Sequence, residues 1–333
     1  MSWIPLLLAL AIGVPATTRA AAAPAPLAHT FSIVARDSAT GELGVAVQSH
    51  YFSVGPVVPW AEPGVGAVAT QSLVLVDYGP NGLDLMRAGL TAQQALDSLL
   101  RADEHHEGRQ VAMVDAKGNV AAWTGPSCIP DAGQHTGAQY SVQANLMAND
   151  RIWPAMAQAY ESAKGDLAER LLQTLEAAQK AGGDIRGRQS AALLVVKAQP
   201  SGKPWNDRLF DLRVEDHPEP IRELRRLVRL RRAYNEEDAG DNAISEKKPD
   251  EAMRRYEAAT KLAPDVVELQ FWAAVSMYVN GRKTEALPLF HRVFAREARW
   301  VPLVPRLPKA GMFPDDPKAI AEVEAQATKG APW

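Results

Sequence analysis

The first regular pattern of apolar and polar positions along the chain begins at Thr30. Every second residue from Phe31 to Ala35 is apolar, which is the period of a β-strand with one buried face. Turn-forming residues and a glycine occupy positions 37–41, and the alternation then resumes from Leu43 to Val47. The pattern predicts a β-hairpin over residues 30–49.

The alternate face of the second predicted strand carries small or polar residues, namely Gly44, Ala46 and Gln48. Small side chains leave free volume next to a neighbouring strand. We therefore expect this face to leave space for a ligand beside Thr30 and Ser32.

The rest of the first two thirds of the chain alternates between blocks of strands and blocks of helices. Two helix starts carry capping signals, Thr91 with Gln94 and Asp166 with Glu169. Blocks of this kind favour antiparallel sheets with helices layered on them, an α+β fold, over a doubly wound parallel sheet. The predicted strands are 66–71, 110–115, 120–124, 140–145, 191–196 and 209–214, and the predicted helices are 83–87, 92–100 and 167–181.

The segment 218–232 changes character and predicts a connecting helix with an apolar stripe opposite a basic face. A solvated helix between two domains is the favoured interpretation, and contact with an anionic polymer or lipid headgroups is the alternative. The basic residues are Arg222, Arg225, Arg226, Arg229, Arg231 and Arg232.

Residues 233–333 contain an internal repeat with an offset of 34 residues, as 286 minus 252 shows. The period resembles the tetratricopeptide repeat, a pair of antiparallel helices that stacks on its neighbours. Only two units are visible, and the tryptophan usual in the first helix is absent. The predicted role is binding of a protein partner or peptide, or structural completion. The matching residues are Ala252, Tyr256 and Ala259 with Ala286, Phe290 and Val293.

An apolar run from Ile4 to Val14 precedes small residues at 20–23, which predicts a signal peptide over 1–23. The mature protein is then periplasmic or secreted. No Lys or Arg precedes the apolar run, so a retained membrane anchor is the alternative.

Composition and charge narrow the function only slightly. The 333 residues suggest one large domain plus a smaller one, and the formal charge of −3 gives no reason to expect nucleic acid.

Cys128 is the only cysteine, and a buried thiol is favoured over a nucleophile. The acidic and histidine-rich stretch 103–107 has no matching metal-ligand spacing, so a solvated loop is favoured. No cofactor is expected.

Three segments together resemble the bacterial family known as domain of unknown function 1028. They are TFSIVARDSATGELGVAVQS at 30–49, PWAEPGVGAVATQS at 59–72 and GGDIRGRQSAALLVV at 182–196. The resemblance covers about 28 to 232, with the domain itself expected over 28–217. The family is similar to N-terminal nucleophile hydrolases, which implies a four-layer αββα sandwich of antiparallel sheets.

The chemistry of that class gives Thr30 a specific expected role. A hydroxyl needs a base to become a nucleophile, and a free α-amino group with a pKa of about 8 can act as that base on the same residue. Ala28 and His29 precede Thr30, so further trimming after the leader would be required. If they remain, His29 or His50 would have to act as base, or Thr30 is a structural strand residue.

The other expected site residues lie at the ends of the predicted strands. Amide side chains can stabilise an oxyanion or orient an amide substrate, and an arginine can hold a carboxylate. Strand-end capping and surface salt bridges are the alternatives. The expected catalytic residues are Thr30, Gln48, Ser49, Gln71 and Asn145, and the expected substrate-binding residues are Arg36, His50 and Ser72.

Together these features predict an exported amidohydrolase that acts on a linear or cyclic amide or a peptide-like molecule. The alternative is a non-catalytic module that binds a peptide or cell-wall fragment, with the helical repeats as a partner-binding surface. A homo-oligomer is compatible with either.

Overall fold

The computed structural model describes residues 27, 28 and 30–327. The expected signal peptide, its cleavage sites and His29 lie outside the described residues. Within them, the chain is a mixed α+β structure with two antiparallel sheets and a C-terminal helical region, which confirms the predicted class.

The first sheet has five strands, all paired antiparallel. Strands β1 and β4 both pair with the same central strand, β5, and the order across the sheet is β1-β5-β6-β7. The strands are β1 (Leu27–Ala28), β4 (Pro59–Glu62), β5 (Gly66–Leu73), β6 (Arg109–Asp115) and β7 (Val120–Thr124).

The second sheet has six antiparallel strands in the order β11-β10-β3-β2-β9-β8, so that β2 and β3 lie in its interior. The predicted hairpin is present, with Thr30 opposite Ser49 and Arg36 opposite Leu43. The strands are β2 (Thr30–Arg36), β3 (Leu43–Ser49), β8 (Gly133–Gly137), β9 (Tyr140–Ala144), β10 (Ser190–Val196) and β11 (Arg208–Val214).

The two sheets pack face to face, and each has helices on its outer side. Val34, Val45 and Val47 of the six-stranded sheet meet Ala69 and Ala112 of the five-stranded sheet in one apolar cluster. Helices α1 (Tyr78–Arg87) and α2 (Ala92–Ala102) cover the five-stranded sheet, and α3 (Ile152–Ser162) and α4 (Leu167–Lys180) cover the other. The interior of the two-sheet part therefore consists of three apolar layers, one between the sheets and one between each sheet and its helices.

Both predicted helix starts are confirmed in atomic detail. The Thr91 hydroxyl accepts from the Gln94 backbone N–H while the Gln94 side chain accepts from the Thr91 N–H, a complete capping box. The Asp166 carboxylate accepts from the backbone N–H of Glu169. These contacts satisfy backbone groups that the first turn of a helix leaves unpaired.

The expectation that Gly44, Ala46 and Gln48 leave space beside Thr30 is wrong. The hairpin register puts these residues on the face shared with Phe31 and Ile33, opposite to the face of Thr30. That face packs on helices, and a side chain at Gly44 would meet Leu171 and Leu167 of α4. The small residues of β3 therefore allow close packing of a helix.

The predicted connecting helix is part of a longer one, α5 (Pro220–Ser245). Its first turns pack Ile221, Leu224 and Val228 against the six-stranded sheet, and Arg225 forms ion pairs with Glu169 and Glu176 of α4. Arg232 likewise pairs with Asp166 and Glu169, so two of the six arginines of the basic face bind carboxylates at α4.

The C-terminal region continues from α5 through four more helices. Helices α6 and α8 have the same length and begin 34 residues apart, at 249 and 283, in agreement with the offset in the sequence. The helices are α6 (Pro249–Leu262), α7 (Val267–Val279), α8 (Lys283–Arg296) and α9 (Pro317–Glu324), with 3-10 turns at His106–Gly108, Pro204–Asn206, Ala298–Arg306 and Pro308–Ala310.

Candidate functional site: a buried polar cluster at the start of β2

Thr30 is the first residue of β2, and its side chain points into the space between the two sheets. It pairs with Ser49 at the end of β3, and its Oγ1 donates a hydrogen bond of 3.0 Å to Ser49 Oγ. Both residues are fully buried. Two hydroxyl groups are therefore held together at one end of the six-stranded sheet.

Two amide side chains reach Thr30 from different strands. Gln71 of β5 donates from Nε2 to the Thr30 carbonyl oxygen over 3.2 Å, and the Asn145 backbone N–H, just after β9, donates to the same oxygen over 3.1 Å. The Asn145 side-chain Nδ2 lies 3.5 Å from that oxygen. The structure thus brings together four of the five expected catalytic residues, from both sheets.

Gln110 of β6 is the centre of this cluster, although the sequence pattern identified it only as the first residue of a strand. Its Oε1 accepts from Gln71 Nε2 at 2.7 Å and from Asn145 Nδ2 at 2.9 Å. Its Nε2 lies 2.9 Å from Thr124 Oγ1 and 2.9 Å from the Ala144 carbonyl oxygen. Gln110 therefore fixes both amides that contact Thr30.

The hydrogen bonds extend inward from Gln71 along the space between the sheets. Ser32 Oγ donates to Gln71 Oε1 over 2.6 Å and accepts from Gln143 Nε2 over 2.6 Å, and Ser141 donates to Gln143 Oε1. These side chains are also fully buried. Buried polar groups need such partners, and a connected network of this kind holds each side chain in one orientation.

Gln48 does not belong to the cluster. It lies opposite Phe31 on the helix-facing side of the sheet, because consecutive strand residues point to opposite faces. Both polar atoms of its side-chain amide are buried and have no hydrogen-bond partner among the described residues. Gln48 is thus separated by the sheet from the other expected catalytic residues.

The three expected substrate-binding residues occupy three different places. Arg36 is at the far end of β2, about 20 Å from Thr30 along the strand, where its Nη1 donates to Gln139 Oε1. The ring of His50 lies against the loop at Gly187, and its backbone N–H donates to Asp184. Only Ser72, which follows Gln71, is next to the cluster, and it is fully buried with a φ of 73°.

The two residues of β1, just before Thr30, lie beside the end of β5 that follows Gln71. Leu27 pairs with Leu73 and Ala28 pairs with Ser72, so that β1 belongs to the five-stranded sheet. The chain passes to the six-stranded sheet within one residue, since Thr30 already pairs there. As the chain stands, Thr30 has a peptide bond on its amino side at the point where the sheets meet.

The other candidate groups lie outside this cluster. Cys128 is buried, and burial raises the pKa of its thiol above the ordinary value. In the acidic stretch 103–107, Asp103 forms an ion pair of 2.7 Å with Arg109 and accepts from the Tyr78 hydroxyl. No group of three potential metal-ligating side chains occurs in residues 27–28 and 30–327.

None of the helices formed by the described residues is both long and apolar enough to cross a membrane.

Two packed antiparallel sheets with helices outside them and a buried polar cluster between them define an α+β protein. The chain matches the family described as a family of unknown function, DUF1028, over residues 30–224, and it belongs to that family. The resemblance inferred from the three sequence segments is confirmed. The match ends within α5, so most of the helical region lies beyond it.

A solved structure supports the same assignment. The chain is similar to the crystal structure of protein SPO2555 from Silicibacter pomeroyi, also of family DUF1028, with 31% sequence identity and a TM-score of 0.54. The similarity covers 60% of this chain and 88% of that one. No curated protein matches the chain.

Proposed function

We propose that the protein is an exported amide hydrolase of the N-terminal nucleophile type, with Thr30 as its nucleophile. The observation that carries the proposal is the position of Thr30, at the start of an interior strand, with its hydroxyl directed between two sheets toward Ser49. The layering of two packed sheets between helices is compatible with the αββα sandwich of that class. Family membership alone assigns no activity.

The proposed reaction requires Thr30 to carry a free α-amino group. The amine accepts the hydroxyl proton while Oγ1 attacks the amide carbon, and the same proton passes to the departing nitrogen as the carbon–nitrogen bond breaks. Water then cleaves the ester formed on Thr30 and releases the acid. One amide and one water give one acid and one amine.

The buried amides would supply the electrostatic part of this mechanism. Gln71 and Asn145 each carry side-chain N–H groups next to Thr30, and Gln110 holds both side chains by accepting a hydrogen bond from each. In the uncleaved chain one N–H of each amide is directed at the Thr30 carbonyl oxygen and the other at Gln110, so the first would have to turn from that carbonyl to the developing oxyanion. Ser49 would orient the Thr30 hydroxyl.

Removal of the residues before Thr30 would also open the site. Such cleavage would take away β1, which pairs with Leu73 and Ser72 at this end of β5. The proposal therefore couples maturation of the chain to substrate access, after export to the periplasm or beyond.

The test combines the mature amino terminus with turnover. Edman sequencing or mass spectrometry of the exported protein should find a species that begins at Thr30, and this species should release amine from one member of a panel of linear and cyclic amides. Thr30→Ala should lower turnover at least about a hundredfold, while Thr30→Ser should retain part of it.

Thr136→Ala is the matched control, because Thr136 is an exposed threonine on the edge strand β8. It should leave turnover unchanged. Full turnover by a protein that begins near Pro24, or by the Thr30→Ala variant, would remove Thr30 as the nucleophile.

The alternative function is a non-catalytic module that binds a peptide or cell-wall fragment. The complete burial of Thr30, Gln71 and Gln110 favours it, because a closed hydrogen-bonded cluster also serves as structure. Tight binding by an uncleaved chain without turnover of the amide panel would support this function. In either case the helical region would hold a protein partner, and self-association is a further expectation.

A further inference from the structure

A groove of about 640 Å³ lies between the second half of α5 and helix α7. It belongs to the helical region, outside the residues that match the family, and it shares no residue with the Thr30 cluster. Its walls are both acidic and apolar, and they include Tyr234, Glu237, Asp241, Glu268, Trp272 and Met312.

Glu237 is the unusual residue of this groove. It is only 9% exposed, and within the described chain its carboxylate has neither a hydrogen bond nor an ion pair. The preceding residue, Glu236, is paired with Arg255 at 3.1 Å. The side chain is largely buried, but its carboxylate oxygens are not fully enclosed, so the charge opens onto the groove and is accessible to a cation from outside the chain.

The two neighbouring carboxylates of the groove also have no cationic partner among the described residues. Asp241 accepts a hydrogen bond of 2.6 Å from the Tyr256 hydroxyl, and Glu268 accepts one of 2.9 Å from the Tyr234 hydroxyl. Tyrosine hydroxyls orient carboxylates but do not neutralise them. Three acidic side chains therefore line one groove, and no ion pair with a positive charge of the described residues compensates them.

The local electrostatics shows the consequence for Glu237. Its burial, together with the charges of Asp241, Asp238 and Glu268, raises the pKa of its carboxyl to about 7. A cation in the groove would reverse part of this effect, because an opposite charge favours the ionised carboxylate.

The chemistry of the groove favours an organic cation over a metal ion. No three potential metal-ligating side chains lie close enough together to hold a metal ion, either in the groove or elsewhere among the described residues. The groove also has an apolar wall, in which Val279 is 48% exposed and Met312 is 46% exposed, next to the ring of Trp272. Lys and Arg side chains combine an apolar stem with a charged end and match both surfaces.

We propose that this groove binds a protein partner through a Lys or Arg side chain, with the cation facing Glu237 and Glu268 and the aliphatic stem along Trp272. The partner segment carries apolar residues beside the basic one, which cover Val279 and Met312. The proposal does not depend on the function of Thr30.

The test measures the binding of a fluorescein-labelled pentapeptide to the full-length protein by fluorescence anisotropy at pH 8. The peptide has two lysines alternating with leucines, and a second peptide has glutamines in place of the lysines. The lysine peptide should bind at least about tenfold more tightly, and its affinity should fall with added salt. Glu237→Gln and Glu268→Gln should each weaken it by about tenfold.

Glu257→Gln is the matched control, because this exposed residue of α6 lies outside the groove and its substitution changes the net charge equally. It should change the affinity less than twofold, and circular dichroism should show that all variants are folded. Equal binding of the two peptides, or equal losses in the control and the groove variants, would overturn the proposal. Displacement of the peptide by spermidine at a similar concentration would overturn the assignment to a protein partner.

Discussion

The polar cluster at Thr30 and the acidic groove between α5 and α7 both contain buried polar side chains, but they differ in how these side chains are paired. The cluster is made of neutral hydroxyls and amides that bind one another, with Gln110 at the centre. The groove holds carboxylates, and Glu237 has no partner within the described chain. The first arrangement pairs its polar groups with one another, whereas the second leaves a carboxylate open to solvent.

The two regions are therefore expected to affect the free energy of unfolding differently: the cluster raises it, and the unpaired carboxylate lowers it. A satisfied network of neutral groups loses stability when one member is removed, because its partners stay buried. An unpaired carboxylate lowers stability while it remains, and its removal should therefore stabilise the protein. Substitutions in the two regions should change the free energy of unfolding with opposite signs.

The largest effect is expected for Gln110→Leu. The substitution removes the acceptor that Gln71 and Asn145 share and the N–H that Gln110 donates to Thr124, at a cost of about 3 kcal/mol or more. Urea unfolding followed by circular dichroism measures this cost. Gln93→Leu on the exposed side of α2 is the control, with a change within about 0.5 kcal/mol. A similar stability for both variants would show that the cluster is not a network.

The opposite sign is expected for Glu237→Gln. The pKa of Glu237 in the folded state lies above its ordinary value, so the contribution of this group to stability is greatest below about pH 4.5 and falls as the pH rises through about 7. Glutamine removes that loss, and the variant should gain on the order of 2 kcal/mol at pH 8 and little at pH 5. Thermal unfolding at both pH values measures the gain. A lower melting temperature at pH 8 would contradict it.

A smaller loss is expected for Thr30→Val, which replaces the hydroxyl by a methyl group of similar size. The variant loses the hydrogen bond to Ser49, worth about 1 kcal/mol, and keeps the strand. Urea unfolding of the uncleaved protein, with the edge-strand variant Thr136→Val as control, measures this loss. A loss as large as that of Gln110→Leu would instead make Thr30 a main structural element of the cluster.

The smallest effect is expected where the first half of α5 packs on α4, outside both regions. Arg225→Ala removes partly exposed ion pairs with Glu169 and Glu176 and should cost about 0.5 to 1 kcal/mol. A double-mutant cycle with Glu176→Ala isolates one of these pairs. A coupling energy near zero would show that the pair of Arg225 with Glu176 does not stabilise the contact of α5 with α4.

The sequence predicted most of the fold because local rules dominate there. The alternation from Phe31, and the caps at Thr91 and Asp166, correspond to observed elements. The prediction missed β8 (Gly133–Gly137), which has two glycines and no apolar alternation because it is an edge strand with an exposed side. It also missed α3 (Ile152–Ser162), whose third residue is a proline.

The site was predicted less completely, for two physical reasons. Gln48 and Ser49 are neighbours in one strand and therefore face opposite sides, a consequence of the period of two that the expectation overlooked. Gln110 depends on the register of β5 with β6, where it lies opposite Gln71. Pairing between strands so far apart along the chain cannot be read from either segment by itself.

Helix α5 gives the molecule a property that neither region has separately. It is 26 residues long, about 39 Å, and its first half packs on the six-stranded sheet while its second half forms one wall of the acidic groove. An uninterrupted helix resists bending, so a partner held in the groove would be kept at a fixed distance from the sheets. If the groove binds as proposed, the length of α5 rather than a flexible linker would set the separation between the partner and the sheets.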